Sequence, residues 1–370
     1  MAVSQPQPAA GQGRVQPPYH GITSVARTLS AFGEVTSQSS TPTASGMVRV
    51  LAEVRSAAGD VIISRVAGRD RYETALEASR RAFSGGAPAV VLATGMNWPD
   101  ALGGSALAGA SRAPLLLTYR DRLPAAVGAE IRRLNARKVY ILGGTAAVGP
   151  GVERALVGML GRAAVVRLGG SDRYGTARLV ADETVRVLGG GYSGDALVAT
   201  GGNFPDATAG AALAAALRRP ILLVKPSDGS VYVPMATRRV LILGGPRAVS
   251  SATERSLIRR LGSGGVARAG GANRYETAVL IARAGVGAGM SWDGVGIATG
   301  ADFPDALAGG AMLGARRSVM LLTGPRVLST ETATELAAHR AEIRSVHIFG
   351  GTKAVSQAVE DSVRRVPLGP

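Results

Sequence analysis

Three words recur along this chain in a fixed order, and each recurs three times. The first reads Asp70-Arg71-Tyr72-Glu73-Thr74-Ala75, then Asp172-Arg173-Tyr174-Gly175-Thr176-Ala177, then Asn273-Arg274-Tyr275-Glu276-Thr277-Ala278. A second follows each copy: Asn97-Trp98-Pro99-Asp100-Ala101, Asn203-Phe204-Pro205-Asp206-Ala207 and Asp302-Phe303-Pro304-Asp305-Ala306. A Gly-Gly word closes each unit, at Gly143-Gly144, Gly244-Gly245 and Gly350-Gly351. The tyrosines are spaced by 102 and 101 residues, the Pro-Asp pairs by 106 and 99. Solenoid repeats run about 20–50 residues and cannot stand alone; a period near a hundred is the size of a small domain. The chain therefore divides into three units, 61–162, 163–264 and 265–366. They follow a segment (1–60) rich in Pro, Gln, Ser, Thr and Gly that is expected to be mostly disordered, with a short ordered piece over Met47 to Val54.

Within a unit, apolar runs of strand length alternate with helical spacing. In the first, Val61–Ile63, Ala89–Ala93, Pro114–Leu117 and Val139–Leu142 read as strands. Asp70–Arg81, Pro99–Ala110, Leu123–Leu134 and Val152–Leu160 read as helices. Continuous apolar strands between helices imply a parallel sheet covered on both faces, a Rossmann-like or flavodoxin-like α/β unit. The middle unit departs: Pro220 to Gly244 is 24 residues, against 29 from Pro114 to Gly143, so its third helix is expected to be a loop. The words fall where strands hand over to helices, the edge at which open parallel sheets bind ligands.

Each word has a structural explanation beside a functional one. Asp70, Asp172 and Asn273 suit helix N-caps, and Glu73 and Glu276 complete the spacing of a capping box. Pro99, Pro205 and Pro304 suit a first helical position, with Asp100, Asp206 and Asp305 in the favourable first turn. Arg71, Arg173 and Arg274 sit where a cation opposes the helix dipole, so they need a partner. It is either a carboxylate of the fold (Arg71–Asp100, Arg173–Asp206, Arg274–Asp305) or an external anion. The aromatics Trp98, Phe204 and Phe303 stand out in a chain with 4% aromatic residues, and either staple a helix entry or pack on a neighbouring unit. The Gly-Gly word lacks the third glycine of a dinucleotide fingerprint and the Lys-Ser/Thr of a P-loop, and reads as close backbone passage. No nucleophile elbow or His-Glu-x-x-His motif occurs.

The formal net charge is +16, and all but Lys138, Lys225 and Lys353 of the 42 basic residues are arginine. Charge of this sign bears on association rather than fold. The guanidinium fork favours bidentate contact with phosphate or carboxylate. The chain has no cysteine and three scattered histidines, so thiol chemistry and a His-based metal site are not expected, nor is any cofactor. No apolar run reaches the length of a membrane span.

Taken together, the Asp-Arg-Tyr-x-Thr-Ala, Asn-Phe-Pro-Asp-Ala, Pro-Ile-Leu-Leu and Ile-Leu-Gly-Gly words resemble the type-2 cell-wall-binding repeats of Gram-positive bacteria. The resemblance spans Val61 to Pro367. It implies three Rossmann-like units in a pseudo-threefold triangle that anchor non-covalently to an anionic wall polymer, outside the cell and without catalysis. By motif it implies a ligand set of Arg71, Tyr72, Thr74, Asn97 and Asp100; Arg173, Tyr174, Thr176, Asn203 and Asp206; and Arg274, Tyr275, Thr277, Asp302 and Asp305. Met1 to Gln16 shows no basic start followed by an apolar stretch, so for an exported protein a misassigned start is expected. The competing reading is an enzyme on glycan or nucleotide-sugar substrates at the strand ends. Nucleic-acid binding has only the charge in its favour.

Overall fold

Runs such as Ala89-Val90-Val91-Leu92-Ala93 have no polar side to turn to solvent, so they require cover on both faces. The computed structural model describes residues 61–368, in which every such run is a strand. The segment 1–60, with the ordered piece expected near Met47, lies outside the described residues. The first period holds β1 (Ile62–Val66), α1 (Arg71–Ala82), β2 (Ala89–Thr94), α2 (Gly104–Ser111), β3 (Leu115–Thr118), α3 (Ala125–Arg133), β4 (Lys138–Leu142) and α4 (Pro150–Leu160). The second holds β5 (Val165–Leu168), α5 (Arg173–Leu188), β6 (Asp195–Thr200), α6 (Pro205–Ala209), α7 (Ala211–Leu217), β7 (Ile221–Val224), β8 (Arg239–Leu243) and α8 (Ser251–Leu261). The third holds β9 (Val266–Ala269), α9 (Arg274–Gly287), β10 (Ser291–Thr299), α10 (Pro304–Ala315), β11 (Ser318–Thr323), α11 (Thr330–Ala338), β12 (Ser345–Phe349) and α12 (Gln357–Arg365). No described helix is long and apolar enough to cross a membrane.

These strands form three four-stranded parallel sheets, ordered β3-β2-β4-β5, β7-β6-β8-β9 and β11-β10-β12-β1. The sheets do not coincide with the sequence periods. The fourth strand of each sheet comes from the next period: β5 pairs with β4 (Ile141 beside Arg167) and β9 with β8 (Ile242 beside Arg268). The third sheet takes its fourth strand from the start of the repeats, with Val66 beside Phe349, which closes the three units into a ring. Three like sheets related in this cyclic way give a pseudo-threefold α/β architecture.

One hydrophobic core runs through all three sheets, including Leu107, Leu213 and Leu313 from three different periods. Its centre is the packing of α2, α7 and α10, helices made of small residues. A Cβ added at Gly109 would lie 2.0 Å from the Ala215 carbonyl oxygen, and one at Gly314 would lie 2.3 Å from the Ala215 Cβ. Larger side chains there would push the helices, and with them the sheet edges, apart. In the first sheet, α3 covers the outer face with Val127 and Ile131. The middle period has no helix between β7 and β8, as its shortened spacing predicts. An extended segment bridges back at Val224–Val231 instead, and Val231 and Val233 pack where a helix would stand.

Candidate functional site

The first word caps its helix as expected. Asp70 Oδ1 accepts from the Glu73 amide at 2.9 Å and Asp172 Oδ1 from the Gly175 amide at 2.7 Å. Asn273 Oδ1 accepts from the amides of Tyr275 and Glu276. The box glutamates reach one residue further back than the cap, to the amides of Arg69 and Ala272. Thr74, Thr176 and Thr277 are buried beneath the cap, each hydroxyl accepting from the amide of Gly68, Gly170 or Gly271 at 3.1–3.2 Å. Tyr72, Tyr174 and Tyr275 lay their rings on Gly95, Gly201 and Gly300. A Cβ at those glycines would fall 2.6, 2.3 and 2.9 Å from the ring. Burial pushes the Tyr72 hydroxyl up from its ordinary range. The tyrosines and threonines thus shape the loop from below.

The arginines reach across units. Arg71 donates through Nη1 to the Gly95 carbonyl at 2.7 Å, Arg173 to that of Gly201 at 3.0 Å, and Arg274 to that of Gly300. Each of these bonds ends on the next sheet. The rest of the guanidinium stays over its own sheet: Arg71 lies 5.7 Å from the Phe303 ring and 3.3 Å from Asp302 Oδ2, and Arg173 lies 4.7 Å from the Trp98 ring. The expected pairs Arg71–Asp100, Arg173–Asp206 and Arg274–Asp305 do not form among the described residues. The physical reason is the strand exchange. Because β1, β5 and β9 belong to the preceding sheet, each arginine faces the aspartate of the preceding period. Arg274 accordingly acts on Asp206 and Arg71 on Asp305.

The second word brings the three units to one place. The rings of Trp98 and Phe204 are 6.2 Å apart, as are those of Phe204 and Phe303, so the aromatics pack against neighbouring units. Beside them Asn97, Asn203 and Asp302 are exposed, each accepting the next residue's amide through Oδ1 at 2.9 Å. Asp100, Asp206 and Asp305 turn inward onto the Gly-Gly word. A Cβ at Gly143, Gly244 or Gly350 would lie 2.7, 2.3 or 2.3 Å from the aspartate Oδ2, and these glycines adopt φ of 97, 102 and 96°. Both the left-handed backbone and the close carboxylate demand glycine there. Burial pushes Asp206 up to about 6, against the pull of Arg274. Asp305 rises to about 6 through burial and the neighbouring Asp302 charge, opposed by Arg71 and Thr74.

A second arginine triplet escaped the reading of the words. Arg65, Arg167 and Arg268 stand in β1, β5 and β9 and donate to the carbonyls of Gly350, Gly143 and Gly244 at 2.8, 2.9 and 2.7 Å. Each also pairs with a glutamate, Glu360, Glu153 or Glu254, at 2.7–2.9 Å. They fix the Gly-Gly turns against which the aspartates lie. The available signal was an arginine six residues before each Asp-Arg-Tyr arginine.

Two clefts flank the ring of words. One of about 400 Å³ lies between the start of α1 and the loop after β3, with Tyr72, Tyr119 and Arg122 in its wall. One of about 390 Å³ lies between α5 and the loop after β7, with Tyr174, Lys225 and Tyr232. The corresponding place in the third period is bridged by Asn273 Nδ2 donating to Glu331 Oε1 at 2.6 Å, a bond that an aspartate at this position would not make. No cluster of three or more metal-ligating side chains occurs among the described residues.

The family described as "Cell wall binding domain 2 (CWB2)" matches three times, over residues 65–153, 167–254 and 268–360. Among curated proteins, the N-acetylmuramoyl-L-alanine amidase LytC of Bacillus subtilis is 27% identical over 85% of this chain and 61% of its own length. The amidase enhancer of the same organism is 30% identical over 82% of this chain and 40% of its own. This chain thus spans 61% and 40% of these relatives' own lengths, less than two thirds of each. Two solved structures from Clostridium difficile share the fold. Cwp6 has a TM-score of 0.71 and 22% identity, covering 83% of this chain and 49% of Cwp6. Cwp8 has a TM-score of 0.72 and 24% identity, covering 84% and 52%. With three matched copies that carry the words described above, this chain belongs to the cell wall binding domain 2 family.

Proposed function

We propose that the chain is a non-catalytic module that attaches to an anionic cell-wall polymer, bearing phosphate or carboxylate, through the carboxyl edges of its three sheets. The observation that carries this reading is the convergence of the Asn/Asp-aromatic-Pro-Asp words on one ring, with Arg71, Arg173 and Arg274 around it. A polymer with repeating charge meets three guanidinium-bearing edges at once. Linked weak contacts then act through effective concentration, with a gain of about 10² or more over one edge. The strand order 2-1-3-4 in each sheet matches the first four strands of the flavodoxin-like order. Its ligand crevice lies where the order reverses, beside the first and third strands. Here that place holds Asp100 and Gly143, or their equivalents. Attachment to such a polymer puts the module at the outer surface of the cell, held there by non-covalent contacts.

Co-sedimentation with purified Gram-positive sacculi tests this, before and after acid extraction of their anionic polymers, at low and high salt. Binding lost on extraction and weakened by salt is the expected result. Equal binding to extracted walls would move the ligand to peptidoglycan, and no binding to either would refute wall attachment.

A further inference from the structure

The three edges differ at one position, and the difference bears on charge. At the edge of the first sheet the exposed residue beside the arginine is Asn97, and at the second it is Asn203; at the third it is Asp302. In all three the Oδ1 atom accepts the next amide, which fixes the orientation of both asparagine side chains. The other terminal atom is therefore an NH₂ donor at the first two edges and a carboxylate oxygen at the third. That oxygen, Asp302 Oδ2, takes the Nη2 of Arg71 at 3.3 Å. Arg173 and Arg274 have no carboxylate ion pair among the described residues; their Nη1 atoms serve the carbonyls of Gly201 and Gly300. Two edges thus offer an amide donor beside a guanidinium, and the third offers an internally paired guanidinium with one extra carboxylate.

We infer that Asp302 is a specificity-determining residue that weakens the third edge for anions, so that the module grips its polymer chiefly through the first and second edges. This rests on the anion-binding reading above and states how that site is used. An exposed ion pair adds little to stability, so its main consequence is to occupy the donor and cancel the charge that an anionic ligand would otherwise meet.

The test uses soluble sodium polyphosphate as the probe, with affinities from isothermal titration of the full chain and of Asp302→Asn, Arg71→Gln, Arg173→Gln and Arg274→Gln. Glutamine removes the charge while keeping a polar side chain that ends two bonds short of Nη1, and thermal unfolding identifies any variant that fails to fold. Asp302→Asn is expected to bind several-fold more tightly than the unaltered chain. Arg173→Gln and Arg274→Gln should each bind about tenfold more weakly, and Arg71→Gln only about two- to threefold more weakly. The inference is overturned if Asp302→Asn leaves the affinity unchanged, or if Arg71→Gln weakens binding as much as its two counterparts. In that case losses at Arg173 and Arg274 would leave the general reading standing. Unchanged affinity in all three arginine variants would overturn both.

Discussion

Replacing Asp206 by asparagine should stabilise the protein at neutral pH and lose that effect in mild acid. Burial over the Gly244 turn holds this carboxyl near 6, against 3.8 for the free side chain. The ionised form is therefore disfavoured in the folded protein, by about 3 kcal/mol once the pH exceeds both values. The charge gains something in return from the first turn of α6, at most about 1 kcal/mol. Asparagine fills the same space without the charge, so the variant should be about 2 kcal/mol more stable at pH 7.5. Between 3.8 and 6 the folded state binds more protons than the unfolded one, so this carboxyl takes stability away as pH rises through that window. At pH 4.5 the advantage should shrink to about 1 kcal/mol. His347 works against the same trend. Burial, with Arg316 and Arg81 beside it, lowers its pKa to about 4, so its contribution is present above 6.5 and is lost as pH falls toward 4. The difference between variant and parent cancels that histidine, whereas the parent's own pH profile does not. Urea unfolding of both proteins at the two pH values is the assay. A variant less stable than the parent at pH 7.5, or an advantage of equal size at both pH values, would refute the reasoning.

Other consequences follow from the same contacts. Arg167→Ala removes a charge-assisted bond to the Gly143 carbonyl and leaves the partly buried Glu153 with Arg162 as its remaining partner, so thermal unfolding should show a loss of about 1.5–3 kcal/mol. Gly109→Val forces a side chain into the Ala215 backbone and should cost about 1–3 kcal/mol or more, with no change in net charge to explain it. Asn273→Asp keeps the cap but sets a carboxylate against Glu331 in place of a hydrogen bond. It should lower stability by about 1 kcal/mol at pH 7, and less at a pH where the carboxylates are protonated.

Element type was legible because it follows from local pattern. The buried run of β2, the caps at Asp70, Asp172 and Asn273, and the missing helix after β7 are all decided within a dozen residues. Sheet membership was not legible. A repeat read from sequence has no marked beginning, so the period is the same whether β5 belongs with the strands before it or after it. Pairing energies across Ile141 and Arg167 decide that, and they are not local. The same ambiguity misplaced the arginine partners by one unit. Arg71 and Asp100 share a period, but Arg71 and Asp302 share a sheet edge through a contact spanning 231 residues. The aromatics were noticeable by their rarity, yet only ring closure brings Trp98, Phe204 and Phe303 together. The Arg65, Arg167 and Arg268 triplet lay in plain view as a repeat, hidden by the stronger words that follow it.

The central claim, that ligand engages the ring of words, is open to a direct optical measurement. The chain has two tryptophans: Trp98 in the ring beneath Arg173, and Trp292, which is buried and stacked on His339. A Trp292→Phe variant leaves Trp98 as the sole indole reporter. Its emission and its quenching by acrylamide would be followed as acid-extracted, soluble wall polymer is added. Protection of Trp98 that saturates together with binding is the predicted result. Binding by sedimentation with no change at Trp98 would place the ligand elsewhere on the molecule and contradict the account.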